Sequence, residues 1–340
     1  MSKSMSAHRL SAERQLQIHD LMVKARVLEE RLITMNRKGD GYFWIGGPGE
    51  EAFSVPLGMQ VKKGEGLDHD YLHLHYRSSG ILLAMGAQMI DSIRQMGMRS
   101  TDPYSAGRNF ANHYAVKKWN VVPMAPTIET QYSIAPGTAM AQKRHGGTGI
   151  TIVNGGDAGT AEGDFATCLI WSTRPGQELP VLMVVMNNGF GISTRHGTQH
   201  GVRNIADRAV PHGMPTDVVD GNDPAASWAA IEKGMAYVRK ERRPYLIEAT
   251  VSRLNGHSSS SGANRSADTD CILQFEERMV ADGVSTKAEL ALVWDKYKHE
   301  AEDAATTVRA EPFPNPGDEW NWTFHNDPGN RIAKSGGEAF

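Results

Sequence analysis

The feature of this chain that most restricts its fold is a pair of short apolar segments, each of which ends in a glycine-rich polar turn. Residues 150–153 run into Gly-Gly-Asp-Ala-Gly at 155–159, and residues 181–186 run into Asn-Asn-Gly-Phe-Gly at 187–191. A helix-like segment at 162–174 lies between them. This order predicts two parallel strands joined by a crossover helix, as in an α/β sheet.

Two polar side chains stand at these turns, Asp157 after the first strand and Asn188 after the second. Because the carboxyl ends of parallel strands meet at one edge of a sheet, we expect the two side chains to lie side by side. A carboxylate and an amide oxygen are hard ligands of the kind that Mg²⁺ takes while it also holds a diphosphate. The neighbouring glycines would let backbone N–H groups approach phosphate oxygens without a Cβ in the way.

Two other interpretations of the same turns stay open. Taken separately, Asp157 could cap a helix, and the Asn-Asn-Gly segment at 187–189 could be an ordinary turn at the end of a strand. A Rossmann site also places a glycine-rich turn between a strand and a helix. Residues 155–163 do not follow the G-x-G-x-x-G spacing, however, and no acidic residue ends the following strand to bind a ribose.

Composition narrows the class of protein. Of 340 residues, 40% are hydrophobic and 22% charged, which is typical of a globular chain with one large or two modest domains. A net charge of -3 and a pI near 6.5 argue against a nucleic-acid-binding protein. The two cysteines, Cys168 and Cys271, predict neither a disulfide framework nor a CxxC metal site. The apolar runs are too short to cross a membrane and no secretion signal is evident, so we expect a cytoplasmic protein.

Periodicity along the rest of the chain predicts alternating helices and strands. An apolar stripe with 4-3-4-3 spacing predicts one long amphipathic helix over 11–38, which Gly39 ends. Further helices are predicted at 50–61, 81–96, 135–144, from 222 onward and within 268–308, and further strands at 71–76 and 245–251. Residues 101–126 show little periodicity and are expected to form a functional loop region. The alternation predicts a parallel α/β sheet with helices on both faces.

The paired turns resemble the thiamine diphosphate signature, in which Gly-Asp-Gly opens and Asn-Asn closes one segment. Ala158 stands here in place of the second glycine. Over residues 11–267 the chain is similar to the E1 α subunits of the 2-oxo acid dehydrogenase complexes, nearest to the branched-chain type. Segments in the family's order carry this similarity: Asn-Arg-Lys-Gly at 36–39, Gly-Glu-Glu at 49–51, Tyr-Arg-Ser-Ser-Gly at 76–80, Gly-Arg at 107–108, His-Tyr at 113–114 and Asn-Asn-Gly-Phe-Gly-Ile-Ser-Thr at 187–194.

The resemblance implies a thiamine diphosphate-binding α/β fold and assigns the cofactor's phosphate end to particular residues. It assigns Asp157, Asn188 and the carbonyl of Phe190 to Mg²⁺, and gives Asn187 a structural role. It places Arg77 on the diphosphate, where the planar fork of donors in a guanidinium suits paired phosphate oxygens. The cofactor-binding residues that it implies are Tyr76, Arg77, Gly156, Asp157, Ala158, Gly159, Asn188 and His257.

The loop at 256–262 carries the predicted catalytic residue. His257 matches the family histidine that contacts the diphosphate near the reacting carbon, where an imidazole can donate a hydrogen bond and move a proton. Ser258 matches a position that is phosphorylated in mitochondrial relatives. His113 is a lesser candidate, which a structural role explains equally well. The aromatic run at 42–44 is expected to cover apolar surface rather than to act in chemistry.

The resemblance implies oxidative decarboxylation of a 2-oxo acid, with transfer of the acyl fragment to a lipoyl group on an E2 protein. One sheet in 340 residues leaves little room for the second α/β domain that would hold the aminopyrimidine and supply an activating glutamate. The resemblance therefore implies a separate E1 β subunit in an α2β2 assembly. We expect a single cofactor-binding domain over 1–310 and an extended tail over 311–340.

Two departures from the family leave the substrate open. Met186 stands where branched-chain relatives carry an arginine, and Ser78-Ser79 stands where pyruvate-type relatives usually carry a histidine. A pyruvate or acetoin dehydrogenase E1 α subunit is therefore an alternative, as is a non-catalytic paralogue that keeps the fold. Loss of Asp157, Asn188 or His257 would mark such a paralogue, and all three are present.

Overall fold

The computed structural model of the chain describes residues 10–262 and 264–318, and its centre is a parallel five-stranded sheet. The strands of this sheet are β1 (Tyr71–His73), β2 (Thr151–Gly156), β3 (Val181–Asn187), β6 (Thr216–Asp220) and β7 (Tyr245–Thr250). Two further strands, β4 (Phe190–Gly191) and β5 (Thr194–Arg195), form a separate hairpin. Across the sheet the order is β1-β2-β3-β7-β6, and every neighbouring pair is parallel.

Helices surround the sheet. They are α1 (Ala12–Lys38), α2 (Glu51–Gln60), α3 (Ser79–Ala84), α4 (Met89–Met96), α5 (Thr130–Arg144), α6 (Gly163–Ser172), α7 (Pro224–Glu241), α8 (Cys271–Ala281) and α9 (Lys287–Arg309). Short 3-10 turns cover Lys117–Trp119, Ala158–Ala161, His196–Thr198 and Ile205–His212. The predicted α/β fold with a parallel sheet and helices on both faces is confirmed.

Alternation along β3 explains the two faces. Leu182 and Val184 pack into a core formed with α2, α3 and α7, while Met183 and Val185 pack into a second core formed with α5 and α6. Both sets are fully buried, as expected for a central parallel strand that helices cover on each side. A third core lies beside the sheet, where α1 packs against α4, α8 and α9.

Local signals at the ends of α1 work as predicted. The Ser11 hydroxyl accepts a hydrogen bond from the backbone N–H of Arg14, and Gly39 ends the helix with φ 78°, a left-handed conformation that favours glycine. The prediction of one helix over 81–96 was wrong in detail, since α3 and α4 are separated by a turn in which Gly86 has φ 104°. The region 268–308 also divides, into α8 and α9.

Strand β6 has no counterpart among the predicted elements. Its sequence, Thr-Asp-Val-Val-Asp, is short and acidic, and it lies at the edge of the sheet with only partial burial. Polar residues are usual on such an edge, because one side of the strand meets solvent. Its pairing with β7 is therefore set by tertiary structure rather than by a strong local pattern.

The described part of the predicted tail, 311–318, lies against the region after α4. The backbone N–H of Ser100 donates to the carbonyl of Pro312 at 3.0 Å, and the Arg99 guanidinium stacks 3.9 Å from the ring centroid of Phe313. The rest of that tail falls outside the described residues, and the division at residue 310 stays a prediction. Among the described helices, none is long and apolar enough to cross a membrane.

Candidate active site

The carboxyl edge of the sheet gathers the predicted site residues. In the register of β2 and β3, Gly156 pairs with Met186, so that Asp157 and the two asparagines leave the sheet from neighbouring strands. Asn187 in turn pairs with Thr250 of β7, the strand that leads towards the loop with His257. Tyr76 and Arg77 follow closely after β1. Four separate segments therefore converge at one edge, as the sequence predicts.

Asp157 is the most unusual group at this edge. Its side chain is 0% exposed, yet within the described part of the chain neither carboxylate oxygen has a hydrogen-bond partner. A buried carboxylate without hydrogen bonds is costly, because it loses hydration that no donor of the protein replaces. Such a group fits a site that receives a cation, and it is the strongest indication of ligand binding in the described structure.

The amide of Asn188 lies next to this site and is partly engaged. Its Oδ1 accepts a hydrogen bond from the N–H of Phe190 at 3.1 Å, and its Nδ2 donates to Glu50 Oε1 at 3.4 Å. Asn187 has a different environment, because it donates to Glu248 Oε1 at 2.7 Å and accepts from the N–H of Gly189 at 3.0 Å. These bonds hold the turn together, in keeping with the structural role predicted for Asn187.

Arg77 supplies the positive charge of the edge. It is buried, its Nε lies 2.8 Å from Glu50 Oε1, and its Nη1 donates to the Tyr76 hydroxyl at 3.0 Å. Burial by itself lowers the pKa of the guanidinium, but Tyr76, Glu50 and nearby acids raise the pKa above its ordinary value, so the group stays charged. A Cβ on Gly156 would meet Arg77 Nη2 at 2.6 Å, so a larger residue there would displace the guanidinium.

Two buried glutamates belong to the same cluster and were not predicted as site residues. Burial raises the pKa of Glu50 to about 7 and that of Glu129 to about 8. Glu129 Oε1 accepts a hydrogen bond from the N–H of Gly156 at 3.0 Å, directly below the turn that carries Asp157. Three carboxyl groups thus surround the guanidinium of Arg77, and a bound cation would favour the ionised form of each of them.

The sequence contained a signal for one of these two glutamates but not for the other. Glu50 lies in the Gly-Glu-Glu segment at 49–51, which supported the resemblance without receiving a role. Glu129 follows the irregular region and begins α5 with φ 62°, so that no periodic pattern marked it.

The loop with His257 closes one side of the site. The imidazole packs edge-on against the ring of Tyr76, with centroids 5.8 Å apart. Burial, with Arg77 and Arg253, lowers the pKa of His257 to about 4, so the ring is neutral near pH 7. The following residues are anchored, because Ser259 N–H donates to the carbonyl of Trp44 at 2.8 Å.

The other aromatic and histidine candidates lie outside the chemistry of this edge. Trp44 is fully buried and donates its indole N–H to Glu29 Oε2 at 2.8 Å, so it belongs to the interior, whereas Tyr42 is exposed. His113 packs against Phe110, with ring centroids 4.3 Å apart, and its Nδ1 contacts the carbonyl of Ala111. It does not line the cavity described next.

An open cavity of about 280 Å³ lies above the cluster. Its walls include seven of the predicted and newly found site residues: Tyr76, Arg77, Glu129, Gly156, Ala158, Gly159 and His257. Phe190 also lines it, while Asp157 and Asn188 lie beneath the surface at its base. One buried cation and several glycines therefore face an open cavity that a ligand can enter.

A metal held here would need amide or carbonyl ligands as well as a carboxylate. Across the described residues, no three His, Cys, Asp or Glu side chains are arranged to hold a metal ion. Of the predicted ligands, only Asp157 belongs to these residue types. Together with the amide oxygen of Asn188 and the carbonyl of Phe190 it forms a set of oxygen ligands, which suits Mg²⁺. The donor chemistry therefore fits the predicted ion.

Comparison with known proteins places the chain in a defined group. The family described as "Dehydrogenase E1 component" matches residues 19–317. The 2-oxoisovalerate dehydrogenase subunit alpha of Bacillus subtilis is 30% identical over 250 residues, which cover 74% of each chain. The protein of the same name from Pseudomonas aeruginosa is 30% identical, over 86% of this chain and 70% of its own. The 3-methyl-2-oxobutanoate dehydrogenase subunit alpha of Mycobacterium tuberculosis is 28% identical, over 87% and 83%.

Proposed function

Because the chain belongs to the dehydrogenase E1 component family, we propose that it is the α subunit of a 2-oxo acid dehydrogenase E1 component acting on a branched-chain acid. The names of the three relatives all denote branched 2-oxo acids, and this supports the substrate class. Membership of the family implies dependence on thiamine diphosphate. The reaction is oxidative decarboxylation with acyl transfer to a lipoyl group on an E2 protein.

The observation that carries the proposal is the unpartnered carboxylate of Asp157 beside the buried guanidinium of Arg77. A magnesium diphosphate presents both charges that this pair lacks. Asp157, Asn188 and the Phe190 carbonyl would hold the cation, and the donors of Arg77 would bind phosphate oxygens. The Nδ2 of Asn188 already donates to Glu50, which leaves its oxygen side towards Phe190 and the turn.

The glycine turn would bind the rest of the diphosphate. Gly156, Ala158 and Gly159 line the cavity, and their small side chains leave the backbone accessible to phosphate oxygens. Tyr76 would act mainly on Arg77, because its hydroxyl accepts a hydrogen bond from that guanidinium and its ring lies 4.9 Å from it. The cofactor's phosphate end is thus held by charge, and its position is set by close backbone approach.

We assign His257, whose side chain lines the same cavity, to the reactive end of the cofactor. Its imidazole is neutral near pH 7, so it can donate one hydrogen bond and accept another. Bound thiamine diphosphate would supply the nucleophilic carbon and take up the electrons released with CO₂. The protein contributes the orientation of substrate and cofactor and the hydrogen bonds of His257.

The proposal also requires a partner. The described residues form one five-stranded sheet, and no second α/β unit is present among them to cover the open side of the cavity. Helices α5 and α6 pack together and expose three large apolar side chains, Ile134, Ile170 and Trp171. An exposed apolar set of this kind is typical of a contact surface. We propose that an E1 β subunit binds here and completes an α2β2 assembly.

The proposed division of labour is tested by activity with and without that partner. The purified chain with thiamine diphosphate, Mg²⁺ and 3-methyl-2-oxobutanoate should release no CO₂, and release should begin when its E1 β subunit is added. Turnover by the chain alone would contradict the requirement for a partner. A panel that includes pyruvate and acetoin then tests the substrate, and a preference for either would replace the branched-chain assignment.

A further inference from the structure

Unsatisfied polar atoms are concentrated in one small region. Ten buried side-chain nitrogen and oxygen atoms of the described residues lack a hydrogen-bond partner, and six of them belong to four side chains. These four side chains are Asp157, His196, Gln199 and His200. Buried polar groups are normally paired, so such a concentration indicates a place where a ligand completes the structure. Three of the four residues received no role from the sequence.

The hairpin of β4 and β5 brings these side chains to Asp157. Phe190 pairs with Arg195, and Gly191 pairs with Thr194, so the chain reverses directly above the glycine turn. The backbone N–H of His196 then donates to the carbonyl of Gly189 at 2.8 Å. A Cβ on Gly191 would lie 2.6 Å from the Cβ of Ala158, which shows how closely the hairpin covers that turn.

The geometry between His196 and Asp157 is close but is not that of a hydrogen bond. His196 Nδ1 lies 3.4 Å from Asp157 Oδ2, and neither atom has an aligned partner in the described structure. Two donor atoms at this separation can each lie about 2.1 Å from one divalent cation and subtend roughly 110° at it. The ring of His200 packs against that of His196, with centroids 4.6 Å apart, and restricts its rotation.

We propose that His196 Nδ1 is a nitrogen ligand of the cation that Asp157 binds, a role that rests on the proposed cofactor site. The cation would then have one imidazole among its oxygen ligands. Imidazole favours later transition metals, whereas Mg²⁺ prefers oxygen. The site should therefore bind Co²⁺ in preference to Mg²⁺ by more than an all-oxygen site would, with His200 acting as a positioning residue for His196.

Spectroscopy of the unmodified chain tests the ligand directly. The complex of the full chain with its β subunit is loaded with thiamine diphosphate and Mn²⁺, and electron spin-echo envelope modulation is recorded. Modulation from a directly bound imidazole nitrogen is the expected result. Its absence from a sample in which Mn²⁺ is bound would overturn the proposal, and this readout requires no variant that might fail to fold.

Variants then identify the histidine and measure its effect. His196→Phe keeps a ring of similar shape without nitrogen, His196→Gln keeps a polar group, and His145→Phe changes an exposed histidine at the end of α5 as the matched control. We expect both His196 variants to lose the nitrogen modulation and to reduce the ratio of Co²⁺ to Mg²⁺ affinity by about tenfold or more, in the range known for metal-site partners. The control should change neither quantity.

The outcomes separate this inference from the proposed function. If Mg²⁺ supports thiamine diphosphate binding in all variants and the affinity ratio is the same in each, the inference about His196 fails and the cofactor site stands. If no divalent ion supports binding of the cofactor to the complex of the unmodified chain with its β subunit, the proposed site itself fails.

Discussion

Two neighbouring glutamates, Glu50 and Glu51, belong to two different buried charge clusters. The clusters differ in how many of their charged groups have hydrogen-bond partners. Glu51 accepts a bidentate pair from Arg26 at 2.7 and 3.0 Å, and Arg26 also reaches Asp270 at 2.8 Å. Glu50 faces the opposite cluster, in which Asp157 has no hydrogen-bond partner among the described residues. We call these the closed cluster and the open cluster.

The difference teaches what each cluster is for. The closed cluster joins α1, the start of α2 and the residue before α8, and every charge in it meets an opposite charge inside the protein. The open cluster keeps a surplus of carboxyl groups, which the fold holds in place at a cost to stability. Strain of this kind at one site is expected where a ligand supplies the missing interactions.

The largest predicted effect is on the closed cluster. Glu51→Gln leaves the buried guanidinium of Arg26 with one carboxylate instead of two, and breaking a buried ion pair from one side costs about 3 kcal/mol or more. We expect the free energy of unfolding to fall by that amount in urea denaturation.

Glu50→Gln is the matched control, since it changes the adjacent residue in the open cluster. Burial raises the pKa of Glu50 to about 7, so a neutral amide replaces a group that is already partly neutral near that pH. The loss should be clearly smaller than that of Glu51→Gln. Equal losses would show that the two clusters do not differ in the way we describe.

The second effect has the opposite character and concerns binding. Asp157→Ala removes the proposed metal ligand, and we expect the affinity for thiamine diphosphate with Mg²⁺ to fall by about tenfold or more, measured by calorimetry in the complex with the β subunit. The ligand-free chain should lose no stability, because the variant removes an unpartnered buried carboxylate. Unchanged affinity, or a clear loss of stability without ligand, would count against an open cluster.

The open cluster was only partly predictable from the sequence. Asp157 and Asn188 end apolar strands within contiguous motifs, and the rule that parallel strands share a carboxyl edge is enough to place them together. The fold was predicted from alternating strands and helices, and the family from motifs in the family's order; both are confirmed, whereas the residue roles stay predictions. Tyr76, Arg77 and His257 required the family resemblance, because their approach to that edge depends on how distant segments fold.

The remaining site residues had no local signal. Glu129 reaches Gly156 through a positive-φ turn before α5, and His196 reaches Asp157 through a hairpin of two-residue strands. Neither placement follows from hydrophobic periodicity, because both depend on irregular backbone packed against other segments. The edge strand β6 was missed for the same reason, since its pairing with β7 depends on tertiary structure and its sequence shows no clear strand pattern.

A third, smaller effect tests whether the buried side chain of Trp44 helps to hold the loop that carries His257 at the open cluster. Trp44 donates to Glu29 and its backbone holds Ser259, two residues after His257. Trp44→Phe removes the indole donor, while Glu29 keeps Ser79 and Asn112 as donors, so the expected loss of stability is about 1 kcal/mol. Amide exchange of Ser258 and Ser259 should become faster. If stability falls by this amount but amide exchange of Ser258 and Ser259 is unchanged, Trp44 stabilises the core and does not hold the loop with His257.

The smallest effect appears only as a dependence on pH. Burial raises the pKa of Glu129 from 4.5 to about 8, so between these values the folded chain holds a proton that the unfolded chain has released. Ionised Glu129 is therefore more costly in the folded state, and stability should decline as pH rises from 4.5 towards 8. Glu129→Gln should flatten this slope in urea denaturation of the ligand-free chain, whereas Glu232→Gln, on the exposed side of α7, should leave it unchanged. A slope that Glu129→Gln does not alter would mean that Glu129 has the same pKa in the folded and the unfolded chain, and burial would then not raise the pKa of that carboxyl group.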